Sequence, residues 1–425
     1  MPPIRFIHAA DLHLDAAFSG LSRDIPADFA ERLRTATFTT FRRLLDLCER
    51  ESPDFLLLAG DVYNQEDASV SAQLALRDGF RRLESLSIPV FLVHGNHDPL
   101  ASRLRSVRWP GNVTVFGELP DAVPVFRKGE GTPLAIIHGA SHASGRETRN
   151  LAALFRRTEA CGLHVGLLHA TPGDADGVAR YAPFSQGDLK ASGMDYWALG
   201  HIHDRREVCR EPLAAYPGCT QGLHINEPGE KGCLLVTAEA RPDGGYAVRT
   251  SFRPLGPAVW KTLDMDLGGA ASLDELENRL RTGLDRAAAE VWSGCEMLLV
   301  RLRLQGRTEL DGLLRKGTTC AELADRLRED GSGVTRIWIK DIDVATRPCV
   351  ERGALLERED LLGEVFRLSE AARTASGLQA LREGPLAPLF AHARAGKALE
   401  PLTDEELARL LDDAESLCLD LLEHD

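Results

Sequence analysis

A chain of 425 residues with 44% apolar and 27% charged side chains is too long for one ordinary domain and long enough for two or three, each with its own core, which excludes wholesale disorder. No apolar run approaches the ~20 residues of a membrane helix, and Met1 to His13 run from a single Arg and a short apolar stretch straight into charged residues, unlike a signal or transit peptide. The net charge of −14 runs against the usual expectation for a nucleic-acid binder, yet it is compatible with local basic strips, a basic partner surface, or a carboxylate-rich site neutralised by divalent cations.

In chain order, residues 4–9, 54–59, 89–93, 134–137, 165–169 and 196–199 are short apolar or β-branched runs and read as buried strands. Between the first two, Phe29, Leu33, Thr37, Phe41, Leu44 and Cys48 recur at helical spacing and predict one amphipathic helix. Strands at 214–216, 232–236 and 246–252 follow without intervening helices, as expected of hairpins closing a second sheet. This rhythm predicts an α/β domain over 1–255, a β-sandwich flanked by helices. The Pro- and Gly-containing stretch from Pro254 to Pro257 marks a boundary.

Beyond it, strands at 260–267, 297–304 and 336–344 alternate with helices near 273–289 and 320–328, a small α/β accessory domain over 256–347. Residues 348–425 read as all-helical, interrupted at Gly384 and Pro385. The last helix opens with Thr403 and Glu406 at capping-box spacing, then carries Leu407, Leu410, Ala414, Leu417 and Leu421 near a 3.5-residue repeat. Two readings of it stand open: a helix packed on its own protein, or a docking surface for a partner coiled coil. Nine cysteines without a C-x-x-C pair suit reduced thiols in a cytoplasmic protein.

Five pieces carry chemistry: Asp11-Leu12-His13, Gly60-Asp61, Gly95-Asn96-His97-Asp98, His169, and Gly200-His201-Ile202-His203. All sit at carboxyl ends of predicted strands, the edge where layered α/β folds bind ligands. A pair of divalent ions needs several oxygen and imidazole donors and one carboxylate between them, for which Asp61 is the natural bridge. In Asp-x-His and His-x-His, alternate residues of an extended segment share a face. Each piece alone is weak; the five in this order are specific. His8 has the opposite strand parity and reads as a core or interface residue, and His94, His138 and His142 read as structural.

The order D-x-H, G-D, G-N-H-D, H, G-H-x-H closely resembles the calcineurin-like metallophosphoesterases, and it spans Asp11 to His203. The runs FIHAADLHL (6–14), FLLLAGDV (55–62) and ALGHIH (198–203) resemble their SbcD and YhaO-type DNA-repair exonuclease branch, and YPGCTQGLHINEPGEKGC (216–233) is similar to the YhaO type. The resemblance implies a four-layer sandwich with a capping domain and a helical tail. It implies two divalent ions, Mn2+ first and Fe2+ or Mg2+ as alternatives. It puts Asp11, His13, Asp61 and His203 on one ion and Asp61, Asn96, His169 and His201 on the other. It makes His97 the histidine facing the leaving group, with Asp98 steadying its ring.

The implied activity is two-metal hydrolysis of DNA phosphodiesters, exonucleolytic and open to endonucleolytic cutting. The implied partners are DNA and an SMC/SbcC-like coiled-coil ATPase, with a homodimer also open and no membrane. Arg103, Arg105 and Arg108 after the G-N-H-D motif, with Lys231 and Arg301, are either phosphate contacts or solvated surface charges. His224 either lines the site or serves a turn. Two other functions stay open: a two-metal phosphoesterase acting on a protein phosphate, cyclic nucleotide or nucleotide-lipid, and a mainly binding and assembly subunit.

Overall fold

The computed structural model describes residues 2–21, 25–64, 69–102, 107–173, 180–242, 244–329, 335–349, 352–391 and 402–422. The elements of the first part are β1 (Ile4–Ala9), α1 (Ala27–Arg34), α2 (Ala36–Glu51), β2 (Phe55–Ala59), α3 (Val70–Ser85), β3 (Val90–Val93), β4 (Val113–Val115), β5 (Asp121–Val125), β6 (Ala135–Ala140), β7 (Leu163–His169), α4 (Gln186–Ala191), β8 (Tyr196–Gly200), β9 (Arg206–Arg210), β10 (Leu213–Tyr216), β11 (Gly232–Ala240) and β12 (Tyr246–Pro254). They form two mixed sheets of six strands, ordered β12-β11-β1-β2-β3-β4 and β5-β6-β7-β8-β10-β9.

Strand parity builds the layers. In β1 and β2, Phe6, Phe55 and Leu57 face the second sheet and pack with Ile137, Val165, Leu167 and Tyr196. Ile7, Leu56 and Leu58 point the other way, onto Phe41, Leu44 and Cys48 of α2 and Leu76 and Phe80 of α3. Leu168, Trp197 and Leu199 cover the outer face of the second sheet with Leu151, Phe155 and Leu189. Strands buried on both faces are continuously apolar, which is why they were legible as runs rather than alternations.

Two details differ from the sequence expectation. The helix expected through 29–48 is two, because at Thr35 the chain leaves helical geometry (φ −96°, ψ 1°) and the Thr35 hydroxyl donates to the Glu31 carbonyl at 3.0 Å. The hairpin β11-β12 does not close the second sheet. It extends the first, antiparallel to β1 with His8 opposite Leu234, and buries Leu234 and Val236 between the sheets. Of the late strands only β10 joins the second sheet, paired with β9 and β8.

A third sheet, β13 (Ala258–Asp266), β14 (Met297–Thr308) and β15 (Arg336–Pro348), follows with α5 (Leu273–Glu290), α6 (Asp311–Leu314) and α7 (Thr319–Glu329). Its strands run parallel: the ion pairs Arg301–Asp341 and Arg303–Asp343 advance in step along β14 and β15. The chain divides into two compact units, one of residues 1–266, 274–304 and 315–345, the other of 267–273, 305–314 and 346–425. Within the first, Trp260, Met297, Leu299 and Trp338 of the third sheet pack on Phe29 and Leu33 of α1.

The second unit holds α8 (Arg352–Leu356), α9 (Leu361–Ala372), α10 (Ala375–Glu383), α11 (Ala387–Ala391) and α12 (Asp404–Leu422). α10 stops at Gly384, as its Gly-Pro pair requires. The capping box of α12 is formed: the Thr403 amide donates to Glu406 at 2.7 Å and the Glu406 amide to the Thr403 hydroxyl at 3.2 Å. Leu419 packs on Leu355, Leu362 and Phe366, and Leu407 is buried, while Leu410, Leu417 and Leu421 are exposed. No helix among the described residues is long and apolar enough to cross a membrane.

Candidate metal centre

The strands β1, β2 and β3 of the first sheet and β7 and β8 of the second end at one rim of the sandwich, and each hands the chain to a motif residue. Asp11 and His13 follow β1, Asp61 follows β2, Asn96 follows β3, His169 ends β7, and His201 and His203 follow β8. Backbone bonds lock these turns together: the Asp11 amide donates to the Gly60 carbonyl and the His13 amide to the Asp61 carbonyl, both at 3.1 Å.

Two groups of potential ligand atoms result, Asp11 with His13 and His203, and Asp61 with His169 and His201, each within 4.8 Å internally. The groups adjoin. The His201 amide donates to both Asp11 oxygens at 3.2 and 3.0 Å, and His169 Nδ1 lies 4.0 Å from Asp11 Oδ1. Asn96 Oδ1 sits 3.0 Å from His169 Nε2 and 3.2 Å from His201 Nδ1, so the amide belongs with the second group.

The imidazoles are held from behind. His13 Nδ1 donates to Asn64 Oδ1 at 2.6 Å, His169 Nδ1 to the Ala59 carbonyl at 2.9 Å, and His203 Nδ1 to Glu227 Oε1 at 2.6 Å. In each case Nε2 is left facing the cluster, 3.2 Å apart for His13 and His203. Outside acceptors of this kind fix tautomer and ring orientation at metal centres.

The donor set fits divalent cations: oxygens and imidazoles, buried or half-buried, with no cluster of thiolates among them. Asp11, Asp61 and His169 are almost fully buried. Burial raises the pKa of Asp11, with the charge of Asp61 adding to it, despite the opposing His169 and His203. For Asp61 burial acts upward too, but His169, His13 and His97 hold the carboxyl well below its usual range. Burial disfavours the charged form of His169, yet the charge of Asp61 and a hydrogen bond donated to it raise its pKa to about 9.

The backbone is also strained here. Asp11, His13, Asp61 and His201 adopt φ of 51°, 41°, 49° and 103°. A non-glycine residue in that region costs on the order of 1–3 kcal/mol and persists where surrounding structure demands it. Gly95 is required by close approach, because a Cβ there would collide with Asp61 Oδ1 and the His169 ring.

His97 lies exposed at the edge of this cluster, its ring centre 5.3 Å from that of His13, and its amide donates to Asp61 Oδ1 at 2.9 Å. Asp98 is not placed as expected. Its buried carboxylate accepts from the amides of Gly95 (2.7 Å), Val62 (3.0 Å) and Asp61 (3.3 Å), and the imidazole beside it, at 3.3 Å, is that of His94. Buried amides need an acceptor, and this demand takes the Asp98 side chain inward, under the motif.

His8 is a core residue, bonded to the Tyr196 hydroxyl at 2.9 Å and the Leu199 carbonyl at 3.1 Å. His138 pairs with His164 at 3.0 Å. His142 donates to the His169 carbonyl at 2.6 Å, a support behind the centre that its place in the sequence did not reveal. His224 accepts the Asn226 amide at 3.1 Å, a turn role. Lys231 is neither exposed nor free: it is buried, with Nζ on the His203 carbonyl at 3.0 Å. Arg301 pairs with Asp341, Arg108 is exposed, and Arg103 and Arg105 lie outside the described residues. Asn64 and Glu227 were missed, since neither belongs to a ligand motif.

Comparison with known proteins agrees with this geometry. Residues 4–205 match the family model of the calcineurin-like phosphoesterases, and residues 260–347 that of the middle domain of metallophosphoesterase YhaO. The uncharacterized metallophosphoesterase YhaO of Bacillus subtilis is 34% identical over 90% of this chain and 91% of its own. Proteins named DNA double-strand break repair protein Mre11 are similar at lower identity: that of Aeropyrum pernix is 28% identical over 68% of this chain and 69% of its own, and that of Methanopyrus kandleri 23% over 85% of each.

Proposed function

This chain belongs to the calcineurin-like phosphoesterase family, and on that premise we propose that it is a metal-dependent DNA nuclease, an exonuclease also open to endonucleolytic cutting, that hydrolyses phosphodiester bonds in DNA repair in the cytoplasm. The observation that carries the reading is the meeting of two acid-imidazole groups, with Asn96 beside them and an exposed imidazole at their edge. DNA as the substrate is supported by similarity, along most of the chain, to proteins named for double-strand break repair.

Asp11, His13, Asp61 and His203 would hold one ion and Asp61, Asn96, His169 and His201 the other. Mixed oxygen and nitrogen donors favour manganese, with iron or magnesium as alternatives. Once bound, such a pair lowers the pKa of water and neutralises phosphate charge. His97 donates the proton that the departing sugar oxygen needs, a contribution of ~10²–10⁴-fold in rate. Asp98, by tying the amides of Gly95, Asp61 and Val62, holds the turn that presents His97.

We divide the chain into a nuclease domain (1–255), a capping domain (256–347) and a helical partner-binding region (348–425). The partner is an SMC-type coiled-coil ATPase, for which the exposed Leu410, Leu417 and Leu421 of α12 offer an apolar stripe.

The deciding experiment is digestion of end-labelled DNA with manganese, wild type beside His97→Ala, with metal content measured on both and para-nitrophenyl phosphate esters run in parallel. Wild type should cut DNA and carry two ions, and His97→Ala should keep the ions and lose turnover. Cleavage of the small monoester alone would mean a non-DNA phosphoesterase. Wild-type cutting by His97→Ala would remove that residue from the chemistry.

A further inference from the structure

The stretch 216–233 stands out in the sequence but supplies none of the seven side chains assigned to the ions. In the fold it wraps the His201–His203 turn. The Cys219 amide donates to the His203 carbonyl at 3.2 Å, the Thr220 amide to the Asp11 carbonyl at 3.4 Å, and Lys231 Nζ to the His203 carbonyl at 3.0 Å and to Asp204 at 3.2 Å. Its one carboxylate within reach of a ligand ring is Glu227. One oxygen accepts a hydrogen bond from His203 Nδ1 at 2.6 Å, and the other accepts the Leu223 amide at 2.7 Å, so the acid is itself held in place.

We propose that Glu227 is a positioning residue that selects Nε2 of His203 as the nitrogen offered to the ion of Asp11 and His13, and holds the ring there. The chemistry follows from the imidazole: with a proton kept on Nδ1, the lone pair lies on Nε2, which faces Asp11 Oδ1 at 3.9 Å and His13 Nε2 at 3.2 Å. A carboxylate behind a ligand histidine also raises its basicity, and losing such a partner costs ~10–100-fold in metal affinity. Glu227 acts on one ion only, since His169, beside the other, is held instead by the Ala59 carbonyl. A competing arrangement exists in the same atoms: His203, Cys219 and Glu227 lie within 4.8 Å of one another and could hold an ion of their own. The 2.6 Å bond favours a proton between His203 and Glu227 instead.

The inference rests on the two-ion reading and not on the substrate. The test is manganese titration of the full chain, wild type, Glu227→Ala, Glu227→Gln, His203→Ala and the double variant, followed by electron paramagnetic resonance and metal analysis, with the melting temperature of each metal-free protein. Wild type should take up two ions. Glu227→Ala should weaken one of them ~10–100-fold and leave the other unchanged. Glu227→Gln, which keeps an acceptor for Nδ1, should recover part of the loss, and in the His203→Ala background Glu227→Ala should add nothing. If Glu227→Ala does not fold, Glu227→Gln decides: one ion weakened supports the role, neither weakened overturns it. Equal loss of both ions, an undiminished effect without His203, or a third ion in wild type that disappears with Glu227 would each overturn it. A wild-type chain that binds no ion would sink the two-ion reading as well.

Discussion

Asp61 presents its carboxylate from a left-handed backbone conformation, φ 49°, and Gly95 must be nothing larger than it is. The two constraints have one cause: the turns after β2 and β3 bring Asp61 Oδ1 and the His169 ring against the Gly95 α-carbon. Gly95→Ala should therefore fold with its sheets intact but bind manganese at least ~10-fold more weakly, as for other displaced ligands; unchanged affinity in titration calorimetry would refute this. Asp61→Ala should lose metal and activity together, in contrast to His97→Ala, and metal analysis of the purified variants separates the two. Most of the donors that the fold brings together were readable from the chain because donor type and strand-end placement travel together. Asn64 and Glu227 were not, since a single acceptor behind an imidazole has no pattern of its own.

The helix α12 resolves into two faces. Leu407 and Leu419 are buried, with Glu415 clamped by Arg352 (2.5 Å) and Arg373 (3.2 Å). Leu410 and Leu417, at 46% and 56% exposure, point away. Leu419→Ala should cost ~2–5 kcal/mol of the stability of the helical unit, as for other buried leucines. The pair Leu410→Gln and Leu417→Gln should leave its melting temperature within about a degree or two while abolishing capture of a coiled-coil ATPase. Wild-type capture by that double variant would place the partner elsewhere. Local signals predicted this helix and its cap well, because a capping box is a contact between residues three apart. The break at Thr35 escaped the same logic: the apolar spacing runs on through both helices while the backbone does not.

Across the molecule, several histidines are buried in the neutral state. Burial lowers the pKa of His8 to about 3 and, with the charge of His164, that of His138 to about 4; burial likewise brings His142 to about 4. Below the unfolded value of ~6.5 the unfolded chain binds protons that the folded one refuses, so stability falls as pH drops from ~6.5 toward 4. For His8 alone, whose value falls from 6.5 to about 3, the loss is on the order of 5 kcal/mol at its limit. Thermal melts across that window should show the decline, and His8→Gln, whose amide can still reach Tyr196 and Leu199, should flatten it; an unaltered slope would show that His8 contributes nothing. Bound ions stabilise in the opposite sense, by ~2.7 kcal/mol when free ion exceeds its Kd a hundredfold, so a chelator should lower the melting temperature at neutral pH.

What the amino-acid order determined by itself was the local part: strands recognisable by continuous apolar runs, helices by spacing, and a set of oxygen and imidazole donors placed after strand ends. The tertiary structure decided what depends on which strands become neighbours. It sent the hairpin β11-β12 to the first sheet, turned Asp98 toward the buried amides of Gly95, Asp61 and Val62, and brought Glu227 behind His203. Those outcomes follow from burial and from the need of every buried amide and imidazole for a partner, conditions that exist only once distant segments are packed together.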